Sequence, residues 1–444
     1  MAPASLRPLR SRNFALIWSA ALVSNLGSWM QTVALGVLVY THTGSAGAGW
    51  AGLVAAAGFV PIGLLAPVGG ALADRLDRRK WLILTTLAET MFATVLAVLA
   101  GLHHDPPWAL VLLSFLGGAS GAIGFPAYQA MVPDLVPSED LLGAVSLSSA
   151  QYNLGRVIGP AVAGLILLTQ NYAIVFGVNA ASFGAVVIAL LLVHLPRPVP
   201  VAGDQSMFQR IVEGARAARA EPGCRSAIMA IAVVALLASP FIALVPAMAH
   251  VVRPHGWSLA LTTAVLITAQ GVGAVAGALA LPGLAVRFGR VAMLRVALIA
   301  VPILLCAYGL APDLAVAVPV FVAVGAAYIS VLSGLNTVVQ LRAPVAARGR
   351  ILSIYMMALG LVYPVGAVIQ GRLANTHGIR AVTATAAVLL LVVVALTALF
   401  RPVVFSDLAD PTPDPVADGT TPGPGVAPAD EHATPGPSPT VGTL

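Results

Sequence analysis

The chain has 444 residues, of which 59% are hydrophobic and 9% charged, whereas soluble globular proteins carry about 45–50% apolar and about 25% charged residues. That balance, with a mean hydropathy of +0.93, excludes a soluble enzyme, and the 43 glycines and 33 prolines follow no collagen-like period. Net charge is +6, but the basic residues form no groove-sized patch, so nucleic acid is not expected as a partner.

In chain order, apolar stretches long enough to cross a bilayer as helix, about 20 residues each, recur twelve times. They are Phe14–Tyr40, Gly47–Ala73, Trp81–Gly101, Trp108–Met131, Leu142–Leu168, Tyr172–Leu195, Ala227–Val252, Leu259–Val286, Ala292–Ala311, Leu314–Leu341, Ile351–Asn375 and Ala381–Phe400. Each is apolar all round, which fits a helix that satisfies its own backbone in lipid. A barrel strand would alternate polar and apolar residues instead. The first apolar run is too long for a signal-peptide core and is expected to be retained. Cys224 and Cys306 supply neither a disulfide framework nor a metal site. One lysine, Lys80, stands beside 22 arginines, a bias that fits a GC-rich bacterial genome.

Loop charge sets the orientation, because Arg and Lys collect in cytoplasmic loops. Nineteen of the 23 basic residues fall on one side, among them Arg7, Arg10, Arg75, Arg78, Arg79, Lys80, Arg342 and Arg350. Arg253, Arg372 and Arg380 fall on the other, and Arg156 lies inside a span. Both termini are therefore expected in the cytoplasm of a bacterial inner-membrane protein. The chain divides into a six-helix bundle at 1–195, a linker at 196–225, a second six-helix bundle at 226–400 and a tail at 401–444. In the linker, Phe208, Ile211, Val212, Ala215 and Ala218 recur at helical spacing opposite Arg210, Glu213, Arg216 and Arg219. Such a helix would lie on the membrane surface or pack on the bundle. The tail is rich in proline and acidic residues without an apolar period, as disordered segments are.

The two halves carry traces of a repeat. Ala71-Leu72-Ala73-Asp74-Arg75-Leu76-Asp77-Arg78 aligns with Gly283-Leu284-Ala285-Val286-Arg287-Phe288-Gly289-Arg290, and Gln129 and Pro133 align at nearly the same offset with Gln340 and Pro344. Parallel repeats with substrate held between them near the midplane are a transporter architecture. The expected fold is thus an all-α integral membrane protein, twelve transmembrane helices in two pseudo-symmetric six-helix bundles.

Two motifs carry a family resemblance. The run Gly69-Gly70-Ala71-Leu72-Ala73-Asp74-Arg75-Leu76-Asp77-Arg78-Arg79-Lys80 resembles the loop between spans two and three of the major facilitator superfamily, G-x-L-A-D-R-x-G-R-K, with Asp77 where that family has Gly. The resemblance implies a gating latch formed by Gly70, Asp74, Arg75, Asp77, Arg78 and Arg79, whose ion pairs form in one state and break in another. The second-half copy has Val286 in place of the Asp. The run Asn153-Leu154-Gly155-Arg156-Val157-Ile158-Gly159-Pro160-Ala161-Val162-Ala163-Gly164 is similar to the fifth-span Gly-Pro motif of superfamily exporters. It makes Gly155, Gly159, Pro160 and Gly164 a helix-packing and bending surface. Together with Met131–Pro137 and Gly27–Gln31, it resembles the exporter branch that contains macrolide efflux proteins and the enterobactin exporter, of the transmembrane secretion effector type.

Glu89 and Arg156 are the ionisable residues deep inside spans. A charge there costs about 2.5–3.5 kcal/mol or more, so each should face a cavity or a partner. Glu89, about 12 Å past Trp81 at 1.5 Å per residue, is a candidate proton carrier or a structural hydrogen-bonding group. Arg156 suits an anionic substrate, a contact with carbonyls that switches between states, or a structural hub. Asn25, Trp29, Gln31, Asn153, Gln270, Asn336 and Gln370 complete the candidate pathway, although a single polar residue in a span is more often interhelical glue. No nucleotide loop, catalytic triad or metal-ligand spacing emerges, so no enzyme activity, cofactor or metal is expected. The reading is a monomeric secondary exporter of a small amphipathic substrate, drug-like or siderophore-like, with protons and the lipid bilayer as its other partners. The alternatives are an importer or facilitator of a polar solute, and a transport-dead receptor or scaffold.

Overall fold

The computed structural model describes residues 4–193 and 207–408; residues 1–3, the linker segment 194–206, the tail beyond 408 and the side chains of Ala4, Ser5, Asp74, Arg75, Met207, Phe208 and Arg210 lie outside the described residues. Helices are the only regular elements among the described residues. They are α1 (Arg12–Thr43), α2 (Gly47–Arg75), α3 (Arg78–Gly101), α4 (Pro107–Met131), α5 (Leu141–Ile166) and α6 (Tyr172–Leu192). After the linker come α7 (Met207–Ala220), α8 (Pro222–Leu237), α9 (Val245–Val252), α10 (Leu259–Phe288), α11 (Arg290–Gly309), α12 (Leu314–Arg342), α13 (Arg348–His377), α14 (Ile379–Phe400) and α15 (Pro402–Asp407).

Starts and stops follow local chemistry. Side-chain oxygens of Asp77, Asn171, Glu221, Ser258 and Asp313 each accept from a backbone N–H in the first turn of the following helix, satisfying donors that the helix itself leaves free. Gly44, Gly289 and Gly378 turn the chain at positive φ, where a side chain would clash.

Ten helical stretches are long and apolar enough to cross a membrane, or eleven if the bent pair Ile211–Ala220 and Pro222–Leu237 is one span. The expected twelve are not reached on this count, for two physical reasons. First, only a three-residue 3-10 turn, Gly44–Ala46, separates α1 from α2, so they form one stretch of 62 residues. At 1.5 Å per residue that stretch would be about 93 Å long if straight, three times the hydrocarbon thickness. Second, the expected span Ala227–Val252 is not continuous. It breaks after Leu237 into a 3-10 segment, Ser239–Ile242, before resuming as α9. Pro240 and Pro246 cannot donate to a helical ladder. The freed carbonyls are taken up from within the protein: Gln370 Nε2 donates to Leu236 O at 3.0 Å and Leu237 O at 3.1 Å, while Ser239 Oγ adds a second bond to Val234 O at 3.2 Å. Irregular backbone at membrane depth is tolerated under such internal satisfaction.

The packing pattern of the first six long helices recurs in the rest. The pairs α1–α5, α2–α4, α3–α4 and α3–α6 have counterparts in α8–α13, α10–α12, α11–α12 and α11–α14. Two further pairs, α2–α13 and α5–α10, join these sets across a seam. On α2–α13 the seam is backbone against backbone. A Cβ at Gly371 would sit 2.6 Å from Ala48 O, and one at Gly360 would sit 3.0 Å from Gly63 N. On α5–α10, a Cβ at Gly164 would lie 2.5 Å from Ala264 Cβ.

Both contacts fade toward the end of the molecule that carries Arg78, Arg79 and Arg350. Gly70, Gly283 and Gly349 have nothing of another element within 4 Å of a built Cβ. Leu142, Leu279 and Val286 are 80%, 78% and 90% exposed. The seam is therefore closed at the Gly44 end and splayed at the arginine-rich end. There α7 lies against α13, with Glu213 paired to Arg350 and Ala218 buried. The linker helix thus packs on the bundle.

Close approach makes a direct prediction. Gly273 of α10 faces the Val322 carbonyl of α12 at a distance no Cβ can occupy, whereas Gly177 of α6 has open space. Gly273→Ala should cost about 1–3 kcal/mol through forced displacement and lower the melting temperature of the detergent-purified protein. Gly177→Ala should leave it unchanged or raise it slightly.

Candidate functional site

The small residues of α5 position Arg156, a cation inside a long apolar helix. A Cβ at Gly155 would lie 2.9 Å from Asn25 Cβ, and one at Gly159 would lie 2.7 Å from Trp29 Cβ and 2.8 Å from Leu26 O. Helix α1 therefore presses directly on α5 at the residue before Arg156 and again three residues after it, while Gly271 brings α10 against the Arg156 backbone. Pro160 is buried within α5.

Wedged there, the Arg156 guanidinium donates from Nη2 to Gln270 Oε1 at 2.9 Å. Its central carbon lies 5.7 Å from the centre of the Trp29 ring, a cation–π distance. Trp29 in turn meets Tyr152 edge-on at 6.0 Å. The phenols of Tyr152 and Tyr328 lie near the guanidinium. Tyr328 shares a 2.8 Å hydrogen bond with Ser239, at the α8 break, and packs edge-on against Phe241. The site is thus built from α1, α5, α10 and α12 and lies on the seam.

Of the residues singled out in the sequence, Asn25, Trp29, Arg156 and Gln270 come together here, with Gly155 and Gly159 shaping the contact. The others are elsewhere. Gln31 accepts from Asn179 Nδ2 at 2.8 Å, a pairing of α1 with α6. Asn153 donates to Ser149 O on its own helix, and Asn336 accepts from Gln340. Gln370 is occupied by the carbonyls of the α8 break. Glu89 lies against α4, where a Cβ at Gly121 would be 3.1 Å from its Oε1. The structure does not bring Glu89 and Arg156 together.

Sequence reasoning missed Tyr152, Ser239 and Tyr328. Tyr152 was reachable, since it stands one turn before Arg156 on the same face. Ser239 and Tyr328 offered no such signal.

The arginine-rich loop ties helix ends together. Arg78 forms an ion pair with Asp134 at 2.9 Å and also donates to Ala130 O at 3.1 Å, at the end of α4. Arg79 donates to Leu190 O and Leu191 O, both at 2.6 Å, at the end of α6. Cations at helix C-termini also meet the negative end of the dipole. Asp77, where the superfamily motif has Gly, caps α3 by accepting from Lys80 N at 3.1 Å. In the second-half copy Gly289 has φ +85° and Val286 is exposed.

At the opposite end a single amide spans the seam. Asn375 of α13 accepts from Gly49 N at 3.1 Å and donates to Ala46 O at 3.3 Å, gripping the start of α2 from both sides. Beside it, Tyr40, His250, Arg253 and Ser45 line a cavity of about 540 Å³.

Paired helical repeats, a seam closed at one end, and a polar cluster at mid-depth define a polytopic membrane transporter. The chain belongs to the transmembrane secretion effector family of the major facilitator superfamily, whose model matches residues 3–416. It is 27% identical over 406 residues to the multidrug efflux pump Tap of Mycolicibacterium fortuitum, covering 87% of this chain and 95% of that protein. It is 29% identical over 192 residues to macrolide efflux protein A of Streptococcus pyogenes, 43% of this chain and 46% of that one. To the staphyloferrin A transporter of Staphylococcus aureus it is 30% identical over 178 residues, 40% of this chain and 44% of that one. Among solved structures it resembles a bacterial homologue of the human lysosomal transporter Spinster in an inward-facing, occupied conformation. The TM-score is 0.71 at 16% identity, covering 92% of this chain and all of the other.

The Asn375 grip can be tested alone. In a background without Cys224 and Cys306, Ala48→Cys places a thiol at a buried seam position. Two hydrogen bonds are worth about 1–3 kcal/mol together. Adding Asn375→Ala should therefore raise the rate of labelling at position 48 by about fivefold or more. An unchanged rate would mean that the glycine contacts alone close this end.

Proposed function

We propose that this chain is a secondary active exporter of a small amphipathic molecule, drug-like or siderophore-like, working by alternating access and proton antiport. The observation that carries the reading is the Arg156–Gln270–Trp29 cluster on the seam, partly exposed and set below the splayed end. A substrate entering there meets a charge, an amide and flat aromatic surface at mid-depth, which suits a molecule with both polar and apolar parts. The names of the relatives, efflux pumps for several drugs and a siderophore transporter, point the same way.

In this reading the chain crosses the membrane twelve times, as two six-helix bundles at 1–195 and 226–400, with both termini in the cytoplasm. The splayed end then faces the cytoplasm and the Asn375 end faces outward, as loading of an exporter requires. Rocking about the seam would close the arginine-rich end and release the Asn375 grip. Asp74 and Arg75, beside the pairs made by Arg78 and Arg79, are assigned to the latch that closes it. Glu89 is assigned to the proton route as a carboxyl held in the membrane apart from the substrate cluster, so that coupling passes through the α3–α4 contact.

Two measurements test this. A cysteine at Ser438, without Cys224 and Cys306, should resist impermeant thiol reagents in intact cells and react after lysis. Labelling without lysis would reverse the orientation and, with it, the direction of loading. In proteoliposomes with an imposed proton gradient, the wild type should concentrate substrate against its gradient and lose that ability with an uncoupler. Glu89→Gln should retain substrate binding but lose the dependence of flux on pH. If Glu89→Gln concentrates substrate as well as wild type, the carboxyl is structural and the proton route lies elsewhere.

A further inference from the structure

The seam cluster is unbalanced in a way that specifies its ligand. Arginine has only donors, so the Gln270 amide must turn its oxygen toward Arg156. That orientation aims the amide nitrogen away from the guanidinium. Gln270 is 5% exposed, and its Nε2 is buried with no acceptor. Among the described residues Arg156 donates to Gln270 alone, and no carboxylate there pairs with it. Glu89, the other deep charge, faces Gly121 of α4 instead.

The inventory on this face is therefore guanidinium N–H groups, an amide NH2 and two phenols, with one net positive charge. A site lined with donors and lacking a counter-charge in a membrane interior calls for an acceptor carrying negative charge. The aromatic walls add a second requirement. Trp29 and Tyr152 stand beside the donors, and Tyr152 is 48% exposed. A bare inorganic ion would leave these surfaces unused, whereas a flat apolar body attached to the anion would cover them.

We infer that Arg156 and Gln270 form a carboxylate anchor, and that this protein prefers amphipathic organic acids whose ring system lies along Trp29 and Tyr152. One carboxylate oxygen takes the guanidinium and the other takes the Gln270 amide. The inference rests on the transport reading above and narrows it from amphipathic molecules to anionic ones. A neutral amide offers one acceptor to two donors and turns its own NH2 toward the other, and cationic analogues are repelled by Arg156.

The full chain in phosphatidylcholine nanodiscs tests this with two isosteric probes, 2-naphthoate and 2-naphthamide. Wild type should bind the naphthoate about tenfold tighter or more, the increment expected of charge-assisted hydrogen bonds. Arg156→Gln and Gln270→Leu should each bring the two probes to nearly equal affinity. Arg156→Lys should restore only part of the preference, because an ammonium lacks the planar fork. Gln270→Glu supplies an internal carboxylate to Arg156, so it should keep the fold and abolish naphthoate binding. Should the variants fail to fold, the wild-type comparison of the two probes still decides.

Equal wild-type affinities would overturn the anchor. So would displacement of naphthoate by equimolar chloride or inorganic phosphate, which would make the occupant a small ion. Loss of naphthoate binding when phosphatidylglycerol replaces phosphatidylcholine would make it a lipid headgroup, with the same consequence. The two readings fail separately. Uncoupler-sensitive export without any preference for acids removes the anchor and leaves the exporter. Preferential binding of naphthoate without coupled flux removes the exporter and leaves the anchor.

Discussion

Lipid tails are as apolar as leucine, so burying one apolar helix against another inside a membrane gains little by itself. What holds such helices together is the distance to which their backbones can approach. In this protein that distance is set by missing side chains. Gly52 lies on the Ala367 carbonyl, Gly118 on Gly58, and Gly273 and Gly325 close α10 on α12 from both sides. The seam pairs α2–α13 and α5–α10 use the same device. They lose it at the arginine-rich end, where the facing glycines stand in open space. The seam between α2–α13 and α5–α10 thus holds only as far as close approach does.

Electrostatics is laid over that scaffold almost entirely at the helix ends. Arg78 and Arg79 fasten α4 and α6 through their terminal carbonyls, Arg380 does the same at Ala311 and Pro312, and Arg350 holds the linker helix. Each bond lies where water or headgroups share the charge, so its cost is small. Arg156 is the exception. Among the described residues it meets only a neutral amide on the far side of the seam and the face of Trp29. A cation kept inside a span is costly, which marks the cluster around it as the candidate site.

Much of this was legible in the sequence, and the gaps have identifiable causes. Hydropathy marks helices in lipid strongly, so α3, α4, α10, α12 and α13 stand within a few residues of where apolar runs place them. The break between α8 and α9 was hidden because Ser239 and Pro240 interrupt neither the length nor the apolarity of the run. Whether proline breaks a helix or merely bends it depends on what receives the freed carbonyls, and here that is Gln370, far along the chain. Pro160 lies within an unbroken α5 for comparison. Arg156 was conspicuous from its depth alone. Its pairing with Gln270, and that of Arg78 with Asp134, depends on which helices cross, and no local pattern encodes that. The carbonyl partners of Gln370 were hidden for the same reason, since a buried amide looks alike in a transport path and at a helix break.

A seam made of absent side chains also bears on how far such a protein can drift. A contact between backbones names no partner residue beyond requiring that it be small, so most positions along α2, α5, α10 and α13 are released from matching one another. Lining residues can then be exchanged for new cargo without the joint being rebuilt. Folds of this kind should therefore persist at levels of sequence similarity that would dissolve a core of interlocking side chains.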